Sequence, residues 1–122
     1  MLAHAPSLAD TARDVARGIA GSDQLHSVFR AAIVYCERGP EPGFRALGVP
    51  GSGVVPVFSS VEQLALARGT VPWFAMTGAD LLAQLPAGYD VMLDLAGPAP
   101  LRLHTAALTP VPVITLVSEG VA

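Results

Sequence analysis

Cys36 is the only cysteine in the sequence and the first candidate for chemistry. A reactive cysteine acts as a thiolate, which nearby backbone N–H groups and a positive charge stabilise. Glu41 follows five residues later in the sequence, and an acidic neighbour raises the pKa of a thiol. Pro40 and Pro42 provide no backbone N–H groups to hold an anion. We therefore predict that Cys36 is a small buried apolar residue, and we keep a thiol enzyme as the alternative.

The stretch from Ile33 to Gly39, IVYCERG, resembles the strand and loop that hold the cysteine of rhodanese-type sulfurtransferases. This resemblance implies sulfur transfer by Cys36 as the alternative function. The family has an arginine after the cysteine, and this sequence departs from it with Glu41 at that position. The sequence also does not match a cysteine phosphatase loop, in which five residues separate the cysteine from an arginine, because Pro42 occupies the position of that arginine.

The remaining polar residues show no pattern typical of a metal or phosphate site. The histidines are His4, His26 and His104. None of them lies at metal-ligand spacing from another histidine or from the cysteine. The glycine-rich segment 48–53 lacks the lysine of a phosphate-binding loop. The sequence therefore predicts no cofactor and no metal.

Asp90 and Asp94 are four residues apart in a predicted strand, which would put both carboxylates on one face. A pair of acids can carry out acid–base chemistry. The alternation with Val91, Leu93 and Leu95 is typical of a half-exposed strand, so we favour a solvated face over a catalytic pair.

Four residues are candidates for contact with a protein partner: Glu41, Phe44, Arg45 and Trp73. The first three lie in a long glycine- and proline-rich segment, 39–53, and loops of this length are often functional. Aromatic residues and arginine are the types that anchor protein interfaces. The alternative is that Phe44 folds back over the core and that Trp73 belongs to the core.

The elements that position these residues predict an α+β fold, with helices packed on a mixed, mainly antiparallel sheet in a single small domain. Ser7, Ser60 and Thr77 are helix caps, and a further helix starts at Asp23. Strands are predicted at 31–36, 54–58, 71–76, 89–95, 101–103 and 113–117. Because Pro56 has no backbone N–H, the second strand is expected to lie at a sheet edge or to begin at that proline.

We divide the chain into an N-terminal amphipathic helix, residues 1–22, and an α+β domain, residues 23–122. The helix is expected to pack on its own domain, with docking on a partner as the alternative. The apolar strand 113–117 offers a sheet edge for a homodimer.

Composition narrows the class of protein. The chain has 52% hydrophobic and 14% charged residues, which indicates a globular fold. A net charge of −3 without a basic run argues against nucleic acid as a partner. The apolar run 111–117 is too short to span a membrane. The single cysteine and an N-terminus without a secretory signal predict a cytoplasmic protein.

Several consecutive features resemble the SseB family. They are VPVFSS at 55–60 with EQL at 62–64, TGADLL at 77–82, LPAGYDV at 85–91 and the turn DLAGP at 94–98. The resemblance covers residues 25–108, and Asp94 departs from it because the family typically has asparagine there. No accepted enzymatic activity goes with this family. The resemblance implies a non-catalytic protein-interaction module of actinobacterial type, an accessory protein with a secretion-associated or immunity-like role.

Overall fold

The computed structural model describes residues 7–105, which form four helices and five strands. The helices are α1 (Leu8–Ala16), α2 (Ser22–Ala31), α3 (Val61–Arg68) and α4 (Gly78–Gln84). The strands are β1 (Ile33–Glu37), β2 (Gly53–Val57), β3 (Trp73–Thr77), β4 (Tyr89–Leu93) and β5 (Leu101–Leu103).

The strands form two sheets that meet at one bridge. β1 pairs with β3 in antiparallel orientation. In the other sheet, β2 is parallel to β4, and β4 is antiparallel to β5. Tyr35 and Phe58 exchange two backbone hydrogen bonds of 2.9 and 2.8 Å, which join β1 to the end of β2. The predicted α+β fold with a mixed, mainly antiparallel sheet is confirmed.

Three helices begin at the predicted caps. The side-chain oxygens of Ser7, Ser60 and Thr77 accept hydrogen bonds of 3.0, 3.1 and 3.1 Å from the backbone N–H groups of Asp10, Gln63 and Asp80. These bonds satisfy donors that have no partner inside the helix. The caps therefore set where α1, α3 and α4 start.

The core lies between the helices α1, α2 and α4 and the inner face of the strands. It includes Phe29, Val34, Val55, Leu81 and Val91, which are fully buried, and also Leu8 and Ala12 of α1. Because its apolar residues belong to this core, α1 packs on its own domain. None of the helices between residues 7 and 105 is long and apolar enough to cross a membrane.

Several predicted boundaries differ from those observed. α2 continues through Ala31, so β1 begins later than predicted. β4 ends at Leu93, because Asp94 adopts a left-handed conformation with φ of 51°. The prediction that Asp94 lies on a solvated face is wrong, since this residue is 6% exposed. His4 and the predicted strand 113–117 lie outside the described residues.

The glycine- and proline-rich segment 39–53 is attached to the sheet at two points. Leu47 exchanges two backbone hydrogen bonds of 2.8 Å with Val54 of β2. The N–H of Gly51 donates to the carbonyl of Gly88, also at 2.8 Å. β2 is the last strand of its sheet, as Pro56 predicts, and the segment runs along this edge.

Candidate functional site

The two-stranded sheet has one face toward the core. The other face is partly covered by α3, which contacts β1, and is exposed at Ile33, Trp73 and Ala75. Val34 and Cys36 of β1 point inward and lie opposite Met76 and Phe74 of β3. The residues between them form the outer face, which consists of Ile33, Tyr35, Glu37, Trp73, Ala75 and Thr77. Side chains alternate along a strand, and directly opposite residues share a face. The β1–β3 pairing therefore brings these six residues together.

Aromatic and aliphatic side chains dominate the outer face. Trp73 is 44% exposed and packs edge-to-face on Tyr35, with ring centroids 5.4 Å apart. Ile33, on the neighbouring strand, is 50% exposed. Trp73 therefore lies at the surface and is not a core residue, contrary to the alternative interpretation of the sequence.

Glu37 anchors two arginines at one end of the outer face. Its carboxylate accepts a hydrogen bond of 2.8 Å from Nε of Arg68, at the end of α3. Nε of Arg45 lies 3.5 Å from the same carboxylate. Glu37 is opposite Trp73 in the β1–β3 register, so the two residues are neighbours on this face.

Phe44 and Glu41 line a groove with core-facing residues. Phe44 is half-buried against Phe74, with ring centroids 5.9 Å apart, and the guanidinium of Arg38 lies 5.3 Å from the Phe74 ring. The groove has a volume of about 490 Å³, and Glu41 is exposed in its lining. Phe44 thus covers the core, as the alternative interpretation proposed. Glu41, Phe44 and Arg45 also line a groove of about 290 Å³ together, whereas Trp73 lies apart from it on β3.

Cys36 is a core residue with 2% exposure. Burial removes water from the thiol and raises its pKa to about 12. Arg45 and Arg68 line the adjacent cleft of about 240 Å³, but both engage Glu37. The predicted burial of Cys36 is confirmed. A neutral buried thiol is a poor nucleophile.

Asp94 connects the end of β4 to the start of α3. Its carboxylate accepts hydrogen bonds from the N–H of Ser59, at 2.8 Å, and from the Ser59 hydroxyl, at 2.6 Å. Its own N–H donates to the carbonyl of Val57 at 2.9 Å. Both carboxylate oxygens of Asp94 are therefore engaged by Ser59, and the contact holds the end of β4 against the start of α3.

Asp90 joins β4 to the residues around β5. It accepts hydrogen bonds from Nε of Arg102 and the N–H of Thr105, both at 3.1 Å, and lies 3.0 Å from Nδ1 of His104. Partial burial raises the pKa of Asp90, but these neighbours outweigh it and leave the pKa below its ordinary value. Asp90 and Asp94 therefore have separate sets of hydrogen-bond partners.

A family model, the SseB protein N-terminal domain, matches residues 6–109. The chain belongs to the SseB family. The match includes α1 as well as the range 25–108 that resembles the family in sequence. No curated protein and no solved structure matches the chain.

Sequence reasoning missed Glu37 and Arg68 of this SseB domain as parts of the outer face. Arg68 is the last residue of α3, a position where a basic side chain is expected to interact with the helix C-terminus. It points instead to a carboxylate 31 positions earlier in the chain. The alternation of β1, with Val34 and Cys36 buried, is the signal that places Glu37 on the outer face.

Proposed function

We propose that this SseB domain is a non-catalytic protein-interaction module and that the outer face of β1 and β3 is its binding surface. The observation that carries the proposal is the exposed Trp73, packed on Tyr35 beside an arginine-flanked carboxylate. Tryptophan, tyrosine and arginine supply most of the binding energy in protein interfaces.

The side chains of this surface are already held in fixed positions, which supports a binding role. The contact between Trp73 and Tyr35 holds both rings in place, so little side-chain freedom remains to be lost on association. Glu37 likewise holds the guanidinium groups of Arg45 and Arg68, which are both about half exposed. Each guanidinium has more N–H donors than this carboxylate engages, so donors remain for a partner.

The residues that could act as a nucleophile or as general acids and bases lie in positions that favour binding over catalysis. Cys36, the candidate nucleophile for sulfur transfer, is buried with a raised thiol pKa. Asp90 and Asp94 are both occupied by structural hydrogen bonds. No observation on the described residues favours the sulfurtransferase alternative.

An accessory role extends the proposal. The family resemblance implies a secretion-associated or immunity-like setting, in which a small domain acts by recognising another protein. A cytoplasmic location, predicted from the single cysteine, suits this role.

Site-specific crosslinking tests the proposal. A photoreactive benzoylphenylalanine is placed at position 73 in the full chain, and crosslinked proteins from the source organism are identified by mass spectrometry. The control carries the same group at position 19, because Ile19 is 70% exposed and follows α1, which packs on the inner side of the sheet. We expect a defined protein to be crosslinked from position 73 but not from position 19.

Affinity for the crosslinked partner is then measured with purified proteins. Trp73→Ala is expected to weaken binding about tenfold or more, which corresponds to about 1.4 kcal/mol. Ile19→Ala should leave the affinity unchanged. Equal crosslinking from both positions, or unchanged affinity of Trp73→Ala, would contradict the proposal.

A further inference from the structure

The hydrogen bonds of β1 show which backbone groups of β3 point away from β1. Tyr35 directs its N–H and carbonyl toward Phe58, away from β3. In an antiparallel ladder these groups alternate in direction, so Val34 and Cys36 direct theirs toward β3. Two flanking bonds agree with this alternation, from Arg38 N–H to the Pro72 carbonyl at 2.8 Å and from Gly78 N–H to the Ala32 carbonyl at 2.9 Å.

It follows that Trp73 and Ala75 direct their N–H and carbonyl groups to the other side of β3. The N–H of Thr77 points the same way. Its carbonyl does not count as an edge group, because Thr77 is the N-cap of α4 and an N-cap carbonyl accepts the first hydrogen bond of the helix. Among the described residues no strand pairs on this side, since β3 ends its sheet. Ala75, at the middle of this edge, is exposed.

The edge also lacks the charges that usually prevent strand pairing. Monomeric proteins commonly protect an edge with lysine, proline or a bulge. Residues 70–79 contain no charged side chain, and the single proline, Pro72, precedes β3. The nearest carboxylate on the outer face, Glu37, is paired with Arg68 and Arg45.

We propose that β3 pairs with β3 of a second copy of this chain, in antiparallel orientation, about a two-fold axis through Ala75. The arrangement is self-complementary, because Ala75 lies opposite the partner's Ala75 and Trp73 lies opposite the partner's Thr77. The free N–H and carbonyl groups then form about four hydrogen bonds across the axis. The two sheets become one four-stranded sheet.

The side chains of β3 suit this register. Residues at diagonal positions across two strands are within reach of an aromatic ring, so Trp73 can cover the partner's Ala75. The small side chain of Ala75 leaves room for the indole ring of each copy near the axis. Pairing also doubles the outer face, since Ile33 and Tyr35 of both copies lie on the same side of the combined sheet.

This inference rests on the proposed function in that it treats β3 as an interaction element. Its test, however, requires no other protein. Sedimentation equilibrium of the full chain is expected to show a mass that rises with concentration from 12.5 kDa toward twice that value.

Charge substitutions at Ala75 test the register. Ala75→Glu places two carboxylates opposite each other, with Cα atoms about 5.5 Å apart, and should weaken the dimer at least tenfold. Ala75→Lys should do the same. An equimolar mixture of the two variants should associate again, because the opposite charges then face each other. Circular dichroism verifies that each variant is folded, and Ile19→Glu is the control that keeps the wild-type dimer constant.

Three results would each overturn the inference. They are a wild-type protein that stays at 12.5 kDa at every concentration, a dimer that Ala75→Glu does not weaken, and a mixture of the two variants that does not associate. If the wild-type chain is monomeric but position 73 still crosslinks to another protein, the inference fails while the proposed function stands. If the dimer forms but no other protein is captured, the inference is supported and the proposed function is limited to self-association.

Discussion

Asp94 illustrates how much one side chain contributes to the arrangement of two elements. It is 6% exposed, and both of its carboxylate oxygens accept hydrogen bonds from Ser59. A buried carboxylate is costly unless it is bonded in this way. Its φ of 51° is also a conformation that aspartate and asparagine tolerate better than most residues.

Replacing Asp94 should therefore lower stability in a graded way. We expect Asp94→Ala to lower the free energy of unfolding by about 3 kcal/mol, because it removes both hydrogen bonds and strains the left-handed backbone. Asp94→Asn should lose about half as much, since asparagine tolerates this conformation and keeps one acceptor. Urea denaturation measures both values, and equal losses would show that the acceptor kept by asparagine and its tolerance of this conformation contribute nothing.

Cys36 gives the domain a dependence on alkaline pH. Its pKa is about 12 in the folded state, against an ordinary value of 9.0. Above pH 9 the unfolded thiol releases its proton while the folded thiol keeps it, so the free energy of unfolding falls as the pH rises. By pH 10 the loss should be about 1 kcal/mol relative to pH 8.

The matched control for this pH dependence is Cys36→Ala, which has no thiol to titrate. Thermal unfolding between pH 8 and pH 10 should show a shallower decline for the variant than for the wild type. Parallel profiles would mean that the thiol ionises equally in both states.

These two residues differ in how well the sequence predicts them. The burial of Cys36 follows from its apolar neighbours and from the residues that make the following loop unsuited to an anion. The burial of Asp94 does not follow, because alternation assumes that the strand continues. A left-handed residue ends the alternation, and no periodic pattern signals its position.

At the scale of elements, Gly78 sets how closely α4 approaches α2. The residue is buried, and its N–H donates to the carbonyl of Ala32 at 2.9 Å. A Cβ atom at this position would collide with the backbone carbonyl of Phe29. Since a backbone group cannot move aside as a side chain can, the two helices would have to separate.

Gly78→Ala is accordingly expected to lower the free energy of unfolding by about 3 kcal/mol. Gly39→Ala is the control, because a Cβ there would meet the flexible side chain of Arg45 at 3.4 Å, an ordinary contact. Differential scanning calorimetry should show a lower Tm for the first variant and a nearly unchanged Tm for the second. Similar Tm values would mean that α2 and α4 adjust without cost.

Element starts were easier to predict than element ends or pairings. Ser7, Ser60 and Thr77 each act within three residues along the chain, so their caps are visible in the sequence. The β1–β3 pairing and the bridge between Leu47 and Val54 depend on contacts between separate segments. A linear pattern contains no information about which strands become neighbours.

At the scale of the whole molecule, the question is whether α1 unfolds together with the other elements as one cooperative unit. Leu8 is 5% exposed and belongs to the same core as Phe29 and Val91. The single tryptophan, Trp73, lies on β3 and reports on the opposite side of the sheet. Loss of packing at Leu8 should therefore be detected at Trp73 if the domain unfolds as one unit.

Leu8→Ala is expected to lower the free energy of unfolding by about 3 kcal/mol, and the change should be the same by Trp73 fluorescence and by far-UV circular dichroism. Ile19→Ala, at a residue with 70% exposure, should change it by less than about 0.5 kcal/mol. A circular dichroism transition that shifts while the fluorescence transition does not would instead define α1 as a separate unit.

The candidate site was predicted in part. Residue type pointed to Trp73 and Arg45, which the fold brings together around Glu37. The same reasoning chose Phe44, which packs on Phe74 and partly covers the core. Type alone does not distinguish these cases, because the difference lies in the direction each side chain takes from the sheet.

The bridge between Tyr35 and Phe58 has a mechanical consequence. Between residues 7 and 105 it is the backbone connection between the two sheets, and it consists of two hydrogen bonds, whereas β2 and β4 pair along their whole length. A load applied across the strands would therefore concentrate on this junction, and the two halves would separate there before either ladder unzipped.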